Sequence, residues 1–274
     1  MSEGTTPARP FELAALTDVG TERGHNEDAC GFRYQGEGCG VIAVADGVSG
    51  SEGGEAASSK AVEVLLRSFA EQGTGVPVPK RLARAAQQAN IEVYELALAV
   101  PELRGMATTL TAAAIDGGVL SAVHVGDSRL YLLREGALSQ LSKDHTVTGE
   151  QVRLGLMSEA RARTDPRRSI LTKSLGRELI VAIDRLAVPL RQGDALLLCS
   201  DGLSNVLEDA ELASLLGAAG EAGAACRALV EAANRRGTYD NLTAAVARVT
   251  GALPPEPEAA GLGARLLRLV GARR

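Results

Sequence analysis

The chain reads as an α+β protein built on antiparallel sheet rather than on a doubly wound parallel one. Two hairpin signals carry this expectation. Asp116-Gly117-Gly118 separates two β-rich runs, Thr108 to Ile115 and Val119 to Val125, and Glu135-Gly136 separates Leu130 to Leu133 from Ala137 to Leu141. An Asp-Gly pair between such runs favours a tight hairpin turn. The third observation is that strands and helices mix without the regular strand–helix–strand alternation of a parallel sheet.

In chain order, residues 1–10 read as a flexible arm. Residues 11–18 and 29–35 read as short strands around the turn that runs from Arg23 to Asp28. Gly40 to Ala45 (GVIAVA) is a buried strand that opens into a loop at Asp46-Gly47. Ala57, Ala61, Val64, Leu65 and Phe69 share one helical face over 55–71, and Gly73 to Pro79 breaks the chain. A second helix over about 80–99 carries Leu82, Ala86, Ala89, Val93 and Leu96. The two hairpins follow and read together as one meander with Asp127 at a corner. Residues 145–170 are polar and carry Arg161, Arg163, Arg167 and Arg168. These four read either as a solvated face or as an attraction for an acidic, phosphorylated substrate. Ala195 to Cys199 is a further strand, helices are expected at 208–216 and 221–235, and Leu242 to Val249 closes the fold. GALPPEPEAA at 251–260 reads as a linker. The last 14 residues put Leu262, Leu266, Leu269 and Val270 on one stripe beside four arginines. That segment is a helix packing on its own domain, or a membrane or partner contact.

Composition narrows the function classes. Apolar residues make up 45% and charged residues 23% of the 274 residues, as in ordinary globular proteins. Aromatics reach only 3% and tryptophan is absent, so the core must be built of Ala, Val, Leu and Ile. A net charge of −5 argues against a nucleic-acid partner. No apolar run reaches 18 residues and the first residues are polar, so neither a membrane span nor a signal peptide is expected. Cys30, Cys39, Cys199 and Cys226 have no CxxC spacing and read as reduced thiols of a cytoplasmic protein, with a monomer expected.

Four short acidic motifs stand where strands should end: Asn26-Glu27-Asp28, Asp46-Gly47, Asp127 in Gly126-Asp127-Ser128-Arg129, and Asp201-Gly202. A fifth, Asp240-Asn241, precedes the last strand. Carboxylates gathered at one end of a packed core repel one another and lose hydration, so a cation must hold them together. All-oxygen ligation suits Mg²⁺ or Mn²⁺. The pattern implies metal-dependent chemistry on an anionic substrate such as a phosphate ester.

The ordered set resembles the metal-dependent protein phosphatases of type 2C, in their bacterial form. It begins at Thr17-Asp18-Val19-Gly20 and Arg23-Gly24-His25-Asn26-Glu27-Asp28, and continues through Ala45-Asp46-Gly47-Val48, Gly105 to Leu110, Val125 to Arg129 and Lys143-Asp144-His145-Thr146. Leu171 to Gly176, Cys199-Ser200-Asp201-Gly202-Leu203 and Tyr239-Asp240-Asn241-Leu242-Thr243 complete it. The match covers about residues 12–250 and implies a catalytic domain over 11–250. It also implies two antiparallel sheets packed face to face between helical layers, a four-layer α-β-β-α sandwich, with a flap at about 146–170.

The resemblance implies roles as well. Asp46 would bridge two ions, with the Gly47 carbonyl on one of them and Asp201 and Asp240 on the second. Asp127 would join Asp201 on a third ion, the alternative being a turn residue that pairs with Arg129. Two to three Mn²⁺ or Mg²⁺ are therefore expected, with water filling the shells and a bridging water as the nucleophile. Arg23 would clamp the phosphate. Glu27 and Asp28 would hold metal-bound waters, and Asn241 would support the same shell. No His follows Asp46-Gly47, where Val48 stands. The leaving oxygen would then take its proton from a metal-bound water, or from His25. The implied function is dephosphorylation of phosphoserine and phosphothreonine in proteins, opposing Ser/Thr kinases, with kinases and their substrates as partners. Two narrower readings are a phosphatase dedicated to one phosphoserine of an anti-sigma-factor antagonist, and a pseudophosphatase that only binds phosphoproteins.

Overall fold

The computed structural model describes residues 9–48 and 52–253. Most of the expected N-terminal arm, Ser49 to Ser51, most of the linker and the basic tail lie outside the described residues.

The strands are β1 (Phe11–Asp18), β2 (Asp28–Gln35), β3 (Cys39–Asp46), β4 (Leu110–Asp116), β5 (Val119–Val125), β6 (Arg129–Arg134), β7 (Ala137–Gln140), β8 (Asp184–Pro189), β9 (Ala195–Cys199) and β10 (Leu242–Val249). The helices are α1 (Glu52–Glu71), α2 (Val78–Ala99), α3 (Val147–Arg153), α4 (Glu159–Thr164), α5 (Asp201–Ser204), α6 (Asp209–Ala218) and α7 (Ala222–Arg236). One sheet runs β1-β10-β9-β6-β7 and the other β2-β3-β4-β5-β8, and every neighbouring pair is antiparallel.

Period-two alternation sorts each strand between two interfaces. In β3, Val41, Ala43 and Ala45 meet α1 and α2, where the five apolar residues of the first helical face are buried with Leu82, Ala86, Ala89 and Val93. Ile42 and Val44 point the other way and meet Leu196, Leu198, Ala245 and Ala247 of the facing sheet. Leu197, Cys199, Ala244 and Val246 turn outward to Leu212 and Leu216 of α6 and to Leu229 and Val230 of α7. The result is the expected four-layer sandwich. All four cysteines are free thiols. Among the described residues no helix is long and apolar enough to cross a membrane.

Two expectations need correcting. The hairpins do not form one meander: β4-β5 belongs to one sheet and β6-β7 to the other, and Gly126-Asp127-Ser128 carries the chain across. Both hairpins are local, so their turns are legible, but the switch of sheet is set by packing of distant strands. Strand β8 was also unforeseen. It is an edge strand, exposed at Asp184, Arg185, Ala187 and Pro189, with Leu186 and Val188 packed toward the core between the sheets. Only Leu186 and Val188 of its six residues carry an inward-facing apolar signal, too short an alternation to announce a strand. Residues 146–170 hold α3 and α4 as an excursion from the sandwich. Its base is closed by Val147 N–H donating to the Ile170 carbonyl (2.9 Å) and Thr172 N–H to the His145 carbonyl (2.8 Å).

Candidate active site

Antiparallel pairing decides which strand ends meet. Asp28, at the start of β2, lies opposite Asp46 at the end of β3. The chain re-enters the same sheet at β4 just after Thr109, leaves the other sheet at Asp201 after β9, and returns to it at β10 after Asp240-Asn241. All five acidic motifs therefore sit at one end of both sheets. A pocket of about 200 Å³ opens there, lined by Asp46, Gly47, Asp127, Asp201 and Asp240, with Arg23 and Glu27 beside them. Asp28 lies behind this pocket, buried, and accepts a hydrogen bond from Thr243 Oγ1 (2.7 Å).

The strand ends are fixed mainly through backbone. Asp46 N–H donates to Thr109 Oγ1 (2.9 Å), while the Asp46 carbonyl accepts from Thr109 N–H (2.9 Å) and Thr108 Oγ1 (2.9 Å). Thr109 is steadied in turn by Ser128 Oγ at 2.7 Å. Gly47 N–H donates to the Glu27 carbonyl (3.0 Å). A Cβ at Gly47 would collide with the carbonyl oxygens of Gly54 and Glu27, so only glycine lets three chain segments meet beside the pocket.

The loop that carries Arg23 is tied down by Asn241. Its Oδ1 accepts from Glu27 N–H (2.8 Å), and its amide donates to the carbonyls of Val19 and His25 (2.9 Å each). Arg23 reaches the rim, donating from Nε to the Tyr239 carbonyl (3.1 Å) and from Nη2 to Asp240 Oδ1 (2.9 Å).

The electrostatics follow from this crowding. Burial first, then Asp28, Asp201, Asp127 and Asp240, push Asp46 well above the usual carboxylate range. Asp127 is raised by burial and by Asp201. Asp28 is pushed up to about 7, chiefly by burial, against the hydrogen bonds of Ser200 and Thr243. Asp201 is pushed up to about 6 by burial and Asp240, with hydrogen bonds from Asp46 and Asn205 pulling the other way. Repelling, desolvated carboxylates with one rim guanidinium among them are a site short of positive charge.

That donor set fits a hard divalent ion, since it is all oxygen. Among the described residues, no three His, Cys, Asp or Glu side chains stand close enough to hold an ion unaided. An ion here would complete its shell with backbone oxygen and water.

The Protein phosphatase 2C family profile matches residues 21–224. The chain belongs to the protein phosphatase 2C family, in its bacterial serine/threonine phosphatase form. It is 36% identical over 230 residues to the serine/threonine phosphatase stp of Listeria innocua, a match that covers 83% of this chain and 91% of that protein. The crystal structure of serine/threonine phosphatase Stp1 from Staphylococcus aureus superposes with a TM-score of 0.83 at 29% identity, over 91% of this chain and 100% of that one. The catalytic domain of serine threonine protein phosphatase PstP, in complex with two manganese ions, superposes with a TM-score of 0.77 at 34% identity, over 88% of this chain and 98% of that one. The 2C family is metal-dependent, in keeping with the carboxylate pocket.

Asp46, Gly47, Asp127, Asp201, Asp240, Arg23 and Glu27 thus share one pocket of this 2C domain. Asp127 does not pair with Arg129, whose guanidinium makes a forked contact with Asp144 (2.7 and 3.0 Å). His25 is exposed on the arginine loop. His124 is buried and stacks on His145 (4.8 Å), away from the pocket. Sequence reasoning missed Thr108 and Thr109 as anchors of Asp46. Both stand in a β-rich run and in the Gly105 to Leu110 motif, but threonine is common in strands for its strand preference alone, and the motif by itself gives them no anchoring role. It also missed Thr243, whose hydroxyl reaches Asp28 and Thr17 (2.8 Å).

Proposed function

We propose that this chain hydrolyses phosphoserine and phosphothreonine in proteins with two to three Mn²⁺ or Mg²⁺ ions, opposing Ser/Thr kinases in the cytoplasm. The observation that carries the reading is the gathering of Asp46, Asp127, Asp201 and Asp240 around one pocket with Arg23 on its rim. Asp46, the Gly47 carbonyl, Asp201 and Asp240 would hold two ions, and Asp127 with Asp201 a third. When bound, such ions would supply Lewis acidity and would lower the pKa of a coordinated water toward neutrality.

The chain's own residues orient the ester. Arg23 presents a planar guanidinium to the phosphoryl oxygens. Its Nε contact with the Tyr239 carbonyl keeps the head at the rim, and an incoming phosphate competes with Asp240 for Nη2. Asn241 holds the loop that bears Arg23 and Glu27 in place. Asp28, buried behind Asp46, orders the polar groups beneath the pocket through Thr243. Glu27 and Asp28 act through water rather than on phosphate directly.

Hydrolysis of a phosphothreonine peptide should be measured in EDTA, Mg²⁺ and Mn²⁺, for the native chain and for Asp201→Ala. Phosphate release that requires metal and disappears in Asp201→Ala is the expected result. A folded protein that releases none with either metal refutes the reading.

A further inference from the structure

Beside the catalytic pocket lies a larger groove of about 780 Å³, between the α3–α4 excursion on one side and the β6–β7 edge with α5 on the other. The two cavities share Asp127, Ser169 and Asp201, so they adjoin. A volume of this size is in the range of sites that enclose drug-sized ligands, which leaves room for a few residues of extended polypeptide.

The charges lining the groove differ in whether they are already satisfied. Arg129 is paired with Asp144. Arg153 is paired with Glu150, and Arg163 spans to Glu208 (2.9 Å) and Asp209 (3.5 Å) at the start of α6. Of the remaining arginines of the excursion, Arg167 pairs with Asp165 (2.9 Å) and Arg161 does not line the groove. Lys143 and Arg168 line it, are exposed, and have no carboxylate partner among the described residues. Two uncommitted cations, against one lining carboxylate outside the catalytic pocket without an ion pair among the described residues, Glu159, therefore line the groove that adjoins that pocket.

We propose that this groove receives the polypeptide on one side of the phosphorylated residue, and that Lys143 and Arg168 select acidic side chains there. The inference rests on the phosphatase reading and adds a sequence preference to it. Exposed ion pairs are individually weak and salt-sensitive. Two acting together should therefore change kcat/KM by about three- to tenfold, through KM, rather than switch activity on or off.

The test uses phosphothreonine peptides that carry Glu or Gln at positions one to four residues away, on either side, with Mn²⁺ present. Each peptide is assayed with the native chain, Lys143→Glu, Arg168→Glu and the double variant. Comparing acidic with neutral peptides within one variant cancels any change in turnover. The expected result is a preference for Glu on one side only, which fades in 0.5 M NaCl and falls to unity or inverts in the double variant. Equal rates for acidic and neutral peptides, or a preference that survives the double charge reversal, overturns the proposal. Hydrolysis of p-nitrophenyl phosphate by the native chain separates the two levels. If it proceeds while the peptide preference is absent, the groove assignment fails alone, and if it also fails, the phosphatase reading falls with it.

Discussion

Replacing Asn241 by alanine should loosen the active site and the fold together. The side chain is 4% exposed and makes three hydrogen bonds of 2.8–2.9 Å, to Glu27 N–H and to the carbonyls of Val19 and His25. Each is worth about 1 kcal/mol net, and a donor stranded in a buried place adds to the loss. The sum is about 2–4 kcal/mol, against a total stability of roughly 5–15 kcal/mol, so the variant should still fold. The activity loss should be larger in relative terms. The loop that bears Arg23 loses its tether, and misplacement of a positioning group by about 1 Å costs on the order of a hundredfold. The assay is urea unfolding in EDTA, so that metal binding does not mask the loss, alongside kcat/KM on a phosphothreonine peptide. Asn241→Asp sharpens the test. It keeps the acceptor for Glu27 N–H but turns an anion toward two carbonyls, so it should not rescue. A loss below about 0.5 kcal/mol in Asn241→Ala, the scale of ordinary surface changes, or near-native stability in Asn241→Asp, would refute the tether.

Three further outcomes are expected. Asp46→Asn should cut metal-dependent turnover by more than about a hundredfold, yet raise the melting temperature of the metal-free protein at about pH 8, because an amide needs neither a held proton nor a charge among the crowded carboxylates; a lower melting temperature in EDTA at that pH would contradict the crowding argument. In metal-free protein, Asp28 (about 7) and Asp201 (about 6) titrate above the ordinary Asp value of 3.8, and Asp46 is raised as well. The folded state then holds protons that the unfolded chain has released, so this stability is full below the unfolded pKa and is lost as pH rises through 6 to 7. Melting in EDTA should therefore come earlier at pH 8 than at pH 5.5, and saturating Mn²⁺ should erase that slope. Gly202→Ala puts a Cβ into the Asn241 carbonyl oxygen, a backbone atom with no room to swing. It should cost about 1–3 kcal/mol and depress activity by spreading Asp201 from Asp240, read by the same urea and kinetic assays.

The sandwich was legible where a residue's neighbours are local or its periodicity is complete. The α1 face of Ala57, Ala61, Val64, Leu65 and Phe69 is fully buried, as its spacing requires. The hairpins at Asp116-Gly117 and Glu135-Gly136 form at the expected turns. What sequence could not supply was the partner of an element. Strand β6 pairs with β9, some 65 residues along the chain, rather than extending the β4–β5 hairpin. Nothing in Gly126-Asp127-Ser128 distinguishes a corner within a sheet from a crossing between two. The pocket residues were legible for the opposite reason: a carboxylate at a strand end is conspicuous, because packing alone gives no reason for it. The threonines that hold those strand ends resemble every other threonine in a strand.

The same contrast explains how a core of Ala, Val and Leu tolerates so many carboxylates at one end. The repelling groups are held by backbone that cannot recoil. Asp46 is pinned through both its N–H and its carbonyl to Thr109, Gly47 is wedged between Gly54 and Glu27, and the arginine loop hangs on Asn241. Crowded at the mouth of one pocket, the carboxylates repel one another, and a divalent ion would relieve that repulsion on binding. Preorganisation of this kind lies in the supporting residues as much as in the ligands. Disabling Thr109 or Asn241 should therefore lower metal affinity even though neither residue touches an ion, and isothermal titration of Thr109→Val with Mn²⁺ reads that directly. Weaker binding than in the native chain follows if the strand-end anchors hold the carboxylates in place, whereas unchanged affinity would mean that the sheet alone suffices.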